Sequence, residues 1–159
     1  VQLLENFVDR VFVSTRADQR DEVERRQFEQ IIDRYQDIGP VAGILSAMEK
    51  FPEIDWLVVA CDLPNIDTQT LSQLLLHRSS EKPFTAFTSS HDGLPEPLCA
   101  VYASSSAGIV RRFVADNTVC PRKILMRSDT LLLDQVNPRA LDNVNTPDDL
   151  RGSRLEAGS

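Results

Sequence analysis

Short apolar runs alternate with segments whose apolar residues recur at helical spacing along most of this chain. The strongest run, Trp56 to Ala60, predicts a buried β-strand. Strands that alternate with helices indicate an α/β fold with a parallel sheet covered on both faces. Further strands are predicted at 11–14, 29–33, 84–88, 98–102 and 131–136, and helices at 1–10, 43–51, 68–78, 104–115, 121–126 and from 146 onward.

Length and composition limit the kind of protein. A chain of 159 residues predicts one domain, at 1–150, followed by a small, polar and flexible tail at 151–159. The net charge of −7 argues against nucleic-acid binding, and no apolar stretch reaches the roughly 18 residues of a membrane-spanning helix. The three cysteines are widely spaced without metal-ligand spacing, which is typical of a reduced, cytoplasmic protein.

Only Cys61 separates Asp62 from the strongest apolar run, and Leu63 and Pro64 follow Asp62. In open α/β sheets, ligands bind at the carboxyl ends of the strands. Mg²⁺ is typically held there by one or two carboxylates together with phosphate oxygens. Asp62 is therefore a candidate Mg²⁺ ligand beside a triphosphate, the alternative being an ordinary turn-forming aspartate.

A glycine-containing turn, Gly39-Pro40-Val41-Ala42-Gly43, precedes the predicted helix 43–51. Its backbone N–H groups can approach an anionic or polar ligand; loop punctuation is the alternative. Lys50 lies too far along for a P-loop. Six residues earlier, Asp33 can accept hydrogen bonds from a base or ribose, or can be an ordinary surface carboxylate.

Two further segments carry polar groups. Asn143 and Asn145 alternate in an extended segment, so both amides point to one face and can hold a ligand or pair with nearby backbone. Glu96, ahead of Pro97 and Leu98, offers a carboxylate at the entrance of a predicted strand, where a turn is equally compatible. The two histidines have no Ser or Cys partner at a recognisable spacing, which argues against a nucleophilic triad.

Taken in order, these segments resemble the molybdenum cofactor guanylyltransferases, also called molybdopterin-guanine dinucleotide biosynthesis protein A. The resemblance extends from about Val11 to Leu150. It implies a Rossmann-like, three-layer nucleotidyltransferase fold with a mostly parallel sheet. It also implies Mg²⁺-dependent transfer of GMP from GTP to the molybdenum-pterin cofactor, with release of pyrophosphate. Molybdenum-insertion proteins or molybdoenzymes are the implied protein partners.

The resemblance implies three groups of site residues. The catalytic group is Asp62, which is also the metal ligand, with Asn143 and Asn145. The nucleotide-binding group is Asp62 with Ser14, Asp33, Gly39, Pro40 and Gly43. Ser14 stands where some members carry an asparagine that contacts the nucleotide. The group on the pterin side is Glu96, Pro97 and Leu98.

The family's first strand and its glycine-rich phosphate loop have no counterpart before Val11. We therefore expect an N-terminally truncated member with impaired catalysis, since each charged phosphate contact contributes about 1.5–3 kcal/mol. A parallel sheet without that strand would be filled by self-association, filled by strand exchange, or left with a local cleft.

Two alternatives to guanylyl transfer stay open. Cytidylyltransferases of the same pathway usually carry Asp-Gln-Pro at the metal turn, where this chain has Asp-Leu-Pro at 62–64. A noncatalytic domain would retain a cofactor-binding or partner-binding face, such as Glu96 to Tyr102, without turnover.

Overall fold

The structure is a computed structural model that describes residues 2–15, 29–35, 38–60 and 63–142. Helices and strands are interspersed along the chain, as in the predicted α/β class, although β4 and β5, and α4 and α5, follow one another directly. Their bounds are α1 Gln2–Glu5, β1 Val13–Thr15, β2 Gln30–Ile32, α2 Val41–Lys50, β3 Trp56–Val59, α3 Thr68–His77, β4 Phe84–Thr88, β5 Pro95–Tyr102, a 3₁₀ turn Ser104–Ser106, α4 Ala107–Ala115, α5 Pro121–Met126 and β6 Thr130–Leu133.

Local signals explain where the helices begin. Gly39 has φ of +70°, a left-handed conformation that glycine adopts readily, and α2 starts two residues later. The Asp67 carboxylate accepts a hydrogen bond from the Thr70 backbone N–H at 2.7 Å and caps α3, as predicted. Pro121 opens α5, where its missing N–H costs nothing because the first turn has no intrahelical acceptor.

The described strands form two sheets. One has the order β3-β5-β4-β6, and the other pairs β1 with β2 in parallel. In the larger sheet β5 runs antiparallel to β3 and β4, while β6 is parallel to β4. The α/β fold class is confirmed, but the sheet is mixed rather than mostly parallel. The reason is that β5 follows β4 through a short turn and must therefore run back against it.

Apolar side chains cover both faces of the larger sheet, which produces three layers. Successive strand residues point to opposite faces, so Phe84 and Phe87 belong to two separate core clusters. Residues of α2, α4 and α5 pack on the first face, and residues of α3 pack on the second. Leu3 and Leu4 of α1 also contact the second cluster.

An aromatic cluster joins the smaller sheet to the rest of the molecule. Phe12, just before β1, lies 5.4 Å from Phe51 and 5.7 Å from Trp56, measured between ring centroids. Phe51 follows α2 and Trp56 begins β3. The contact therefore holds the start of β1 beside the start of β3.

Some element bounds differ from the expectation. The helical pattern over 1–10 yields only Gln2–Glu5, since the next residues turn and Phe7 packs on the second core cluster. The last described strand ends at Leu133 instead of 136, because the chain then bends so that Gln135 donates to the Thr88 carbonyl at 2.9 Å. The predicted helix from 146 and the tail 151–159 lie outside the described residues.

Among the helices described, none is long and apolar enough to cross a membrane.

Candidate functional site

One edge of the larger sheet collects the ends of strands that the sequence marks as chemically important. β3, β4 and β6 end there, and the antiparallel β5 begins there. Ligands bind at such an edge in open α/β sheets. The segment that follows β3 and the Glu96 segment that opens β5 therefore belong to the same end of the molecule.

A cleft of about 230 Å³ opens at this edge. It brings together one predicted nucleotide residue, Pro40, and the predicted pterin-side residues Glu96, Pro97 and Leu98. The other lining residues lie in β5, in or just before α5, and in the segments that follow β3 and β6. They are Cys99, then Cys120, Pro121 and Arg122, then Leu63 and Leu141. Pro40 and the segment 96–98, which are far apart in sequence, therefore line the same cleft.

Arg122 gives the cleft a positive charge next to the Glu96 carboxylate. Its Nε donates to the Pro95 carbonyl at 3.2 Å, and its two terminal nitrogens lie 3.5 Å from Asp92 and 3.7 Å from Glu96. The guanidinium therefore fixes the turn before β5 and the start of that strand on α5. Sequence reasoning missed Arg122; the only local signal was its place directly after the helix-opening Pro121.

Buried groups hold the predicted pterin-side segment, 96–98, in place. The Tyr102 hydroxyl donates to the Pro97 carbonyl at 2.8 Å inside the core. Burial raises the pKa of Tyr102, so the phenol stays neutral and keeps donating. Burial, with smaller effects of Glu96 and Asp67, raises the pKa of Cys99 to about 12. The cleft wall at Cys99 is thus an uncharged thiol at neutral pH.

The predicted nucleotide residues divide between the two sheets. Ser14 is the middle residue of β1, and Asp33 follows the last residue of β2, where it is half-buried. Gly39 is exposed and Pro40 lines the cleft. Gly43, predicted to lie in the loop, is instead buried in the first turn of α2. That helix starts at Val41, so the loop itself is limited to Gly39 and Pro40.

Asp62, Asn143 and Asn145 lie outside the described residues. Their near neighbours in sequence are described: Leu63 and Leu141 both line the cleft. Within the described parts of the chain, no group of three or more His, Cys, Asp or Glu side chains is arranged to hold a metal ion. A metal site built on Asp62 therefore stays a prediction.

The sequence also did not reveal a contact between His91 and Asp142, the residue directly after the cleft residue Leu141. His91 Nε2 is 2.8 Å from Asp142 Oδ1, and both the hydrogen bond and the negative charge of Asp142 raise the pKa of His91. Next to it, the Ser90 hydroxyl donates to the Pro138 carbonyl at 2.8 Å. The turn between β4 and β5 is thereby tied to the segment that leads into Asn143.

The α/β fold with a cleft at the sheet edge is compatible with several enzyme classes, and comparison with known proteins identifies the family. Residues 1–131 match the family described as the MobA-like NTP transferase domain. That match covers most of the chain, so the protein belongs to this family. The resemblance inferred from the ordered motifs is confirmed.

Similar proteins include two from bacteria and one solved structure from an archaeon. A molybdenum cofactor biosynthesis bifunctional protein of Synechocystis is 29% identical over 92% of this chain and 42% of its own length. A probable molybdenum cofactor guanylyltransferase of Bacillus mycoides is 31% identical over 64% of this chain and 52% of its own. The chain thus spans about half the length of these curated relatives.

The solved structure is molybdopterin-guanine dinucleotide biosynthesis protein A from Archaeoglobus fulgidus. It superposes with a TM-score of 0.78 at 23% identity, covering 98% of this chain and 83% of that one. A likeness at this identity establishes the fold.

Proposed function

We propose that this chain is a nucleotidyltransferase domain that transfers GMP from GTP to the phosphate of the molybdenum-pterin cofactor and releases pyrophosphate. One observation carries the proposal. In a member of the MobA-like family, the cleft at the sheet edge joins Pro40, on the expected nucleotide side, to Glu96–Leu98, on the expected pterin side. A transfer between two bound substrates needs such a shared space.

The reaction is an in-line displacement. A phosphate oxygen of the pterin forms a new bond to the α-phosphorus of GTP, and the bond to the departing pyrophosphate breaks. The protein's task is to hold the two substrates in line and to stabilise the charge that develops. Arg122 is the described cation that lines the cleft, and it suits an anionic acceptor.

Mg²⁺ is the metal of this proposal, and Asp62 would hold it. When bound, the ion neutralises charge on the phosphate oxygens. Asn143 and Asn145 are proposed to orient substrates from the segment that follows Leu141, a cleft residue. Ser14, Asp33, Gly39 and Gly43 remain proposals for the nucleotide side.

Nucleotide binding to the full chain tests the proposal. Isothermal titration with GTP and with CTP, each with and without Mg²⁺, should rank GTP first and show a Mg²⁺-dependent gain. Tighter binding of CTP would assign the domain to cytidylyl transfer. If the chain binds the pterin cofactor but binds neither GTP nor CTP, the domain has a noncatalytic role.

Asp62→Asn tests the metal assignment separately. The variant should lose at least about tenfold in Mg²⁺-dependent GTP affinity, equivalent to about 1.4 kcal/mol. The control is Glu53→Gln, an equivalent charge loss at an exposed site in the turn before β3, at the opposite edge of the sheet. If Asp62→Asn behaves like this control, Asp62 does not hold the metal.

A further inference from the structure

A polar cluster fixes the residues after β2 to helix α2. The Arg34 backbone N–H donates to the Ser46 hydroxyl at 2.9 Å. The Arg34 guanidinium donates to Glu49 Oε2 at 2.9 Å, and the Tyr35 hydroxyl donates to Glu49 Oε1. We call these four residues the Glu49 cluster. Arg34 and Tyr35 thus bond to both oxygens of the Glu49 carboxylate, and Arg111 Nε of α4 lies 3.7 Å from Glu49 Oε1.

The Glu49 carboxylate is well placed to make these bonds strong. Its side chain is only 13% exposed, whereas that of Arg34 is 64% exposed. A carboxylate shielded from water needs partners, and charge-assisted hydrogen bonds are about twice as strong as neutral ones. The hydrogen bond to Glu49, followed by burial, raises the pKa of Tyr35. The phenol therefore remains a donor at physiological pH.

The cluster adds polar contacts to a segment that is also held by packing, since Ile31 of β2 is buried and Tyr35 contacts the first core cluster. β2 has three residues, and its last one, Ile32, is 37% exposed. Asp33 comes directly after it and directly before Arg34. The same helix α2 that carries Ser46 and Glu49 begins next to Pro40 at the cleft. Because Arg34 is bonded to α2, the cluster restrains the neighbouring Asp33 relative to the helix that begins beside the cleft residue Pro40.

We propose that Glu49 is a positioning residue for base selection: through Arg34 and Tyr35 it fixes the place of Asp33 relative to α2. The inference rests on the proposed function, in which Asp33 contacts the guanine nucleotide. Glu49 itself does not touch the substrate.

The chemistry of the bases explains why position matters here. Guanine presents two adjacent N–H groups that one carboxylate can accept together, whereas cytosine presents a single amino group on its pairing edge. Such two-point recognition depends on the orientation of the carboxylate. A displacement of about 1 Å can cost about a hundredfold in a well-aligned site. Loss of the Glu49 contacts should therefore reduce the preference for guanine more than it reduces nucleotide binding in general.

The test compares GTP and CTP affinities of the full chain with those of Glu49→Gln. This variant keeps the shape and one acceptor for Tyr35, but it loses the charge that pairs with Arg34 and, more distantly, with Arg111. The ratio of the CTP to the GTP dissociation constant should fall about tenfold, with most of the change in GTP. Glu53→Gln, an exposed charge loss in the turn after the same helix, is the matched control and should keep the ratio.

The thermal unfolding midpoint of each variant distinguishes positioning from simple stabilisation. If wild type prefers GTP and Glu49→Gln keeps that preference, the inference is overturned even where the variant unfolds at a lower temperature. If wild type shows no preference for GTP, the proposed function fails and this inference fails with it. Should Glu49→Gln not fold, Tyr35→Phe, which removes only one hydroxyl, makes the same comparison with a smaller expected fall.

Discussion

The two sheets are held in place by different combinations of forces. In the four-stranded sheet, Phe84 and Tyr102 are fully buried and meet edge to face at 5.4 Å, with helices packed on both sides. The two-stranded sheet has three residues in each strand, and beyond β2 it is tied to α2 by the Glu49 cluster. The proposed pterin side therefore rests mainly on apolar packing. The proposed base side combines these polar contacts with apolar packing, since Ile31 is buried and Phe12 contacts Phe51 and Trp56.

This difference suggests that the two halves of the site respond to different perturbations. Contacts between charges are screened by salt, more strongly the more exposed the charges are, whereas apolar contacts carry no charge to be screened. Removing a core side chain should weaken the whole domain, but removing a polar contact should act locally.

The largest effect should come from the core of the four-stranded sheet. Phe84→Ala removes a fully buried ring and should lower the free energy of unfolding by about 3–5 kcal/mol. Ile32→Ala, in the two-stranded sheet, should cost less than about 1 kcal/mol because its side chain is 37% exposed. Urea unfolding measures both. Equal losses would show that the two sheets are not held differently.

A smaller effect is expected at Asp67, whose carboxylate makes polar contacts beside the four-stranded sheet. Its carboxylate caps α3 and also accepts a hydrogen bond from Asn137 Nδ2 at 3.0 Å. Asp67→Ala should cost about 0.5–2 kcal/mol, while Asp67→Asn should retain most of the cap. Urea unfolding near neutral pH would check this, and a variant as stable as wild type would contradict it.

Asp67 should also make unfolding pH-dependent. Burial pulls its pKa up, but the hydrogen bonds from Thr70 and Asn137 outweigh burial and leave the pKa below its usual value. A lowered pKa means that this stabilisation is present above the ordinary aspartate pKa and is lost as pH falls through the lowered one. The acid limb of stability against pH should therefore be shallower in Asp67→Asn than in wild type.

The smallest effect should be at the exposed rim of the cleft. The raised pKa of His91 means that its pairing with Asp142 stabilises the fold below the ordinary histidine pKa and loses that effect as pH rises through the raised one. NMR titration should show the His91 pKa falling in Asp142→Asn and unchanged in Glu81→Gln, a remote exposed control. If the His91 pKa is the same in Asp142→Asn as in wild type, the expected pairing of His91 with Asp142 is wrong.

The parts of the fold that the sequence predicts are those with local causes. The apolar run at Trp56, the cap at Asp67 and the proline at 121 each act within a few residues of themselves, and each element appears as expected. The direction of β5 was missed because a general alternation of strands with helices favours parallel pairing, whereas the short turn after β4 makes β5 run antiparallel to it. The loop at Gly43 was misjudged because a helix start is uncertain by a turn when no side chain caps it.

The candidate site was predictable only as a set of motifs. Pro40 and Glu96 were identified separately, and the structure shows that they share a cleft. Arg122, His91 and Glu49 were missed because each acts on a residue far away in sequence or on another element. No periodic pattern or spacing encodes such a contact, which depends on how helices and strands pack.

The turn between β4 and β5 also bears on the order in which the molecule forms. Thr88 meets Pro95 across a turn closed by a hydrogen bond between Ser89 and Leu94, whereas Phe84 reaches Thr130 only after most of the intervening chain is placed. Because loop-closure entropy grows with loop length, the hairpin should nucleate folding, with β3 and β6 added later. Pulse-labelled amide exchange should then protect β4 and β5 first, so that one wall of the cleft exists before the residues that complete it.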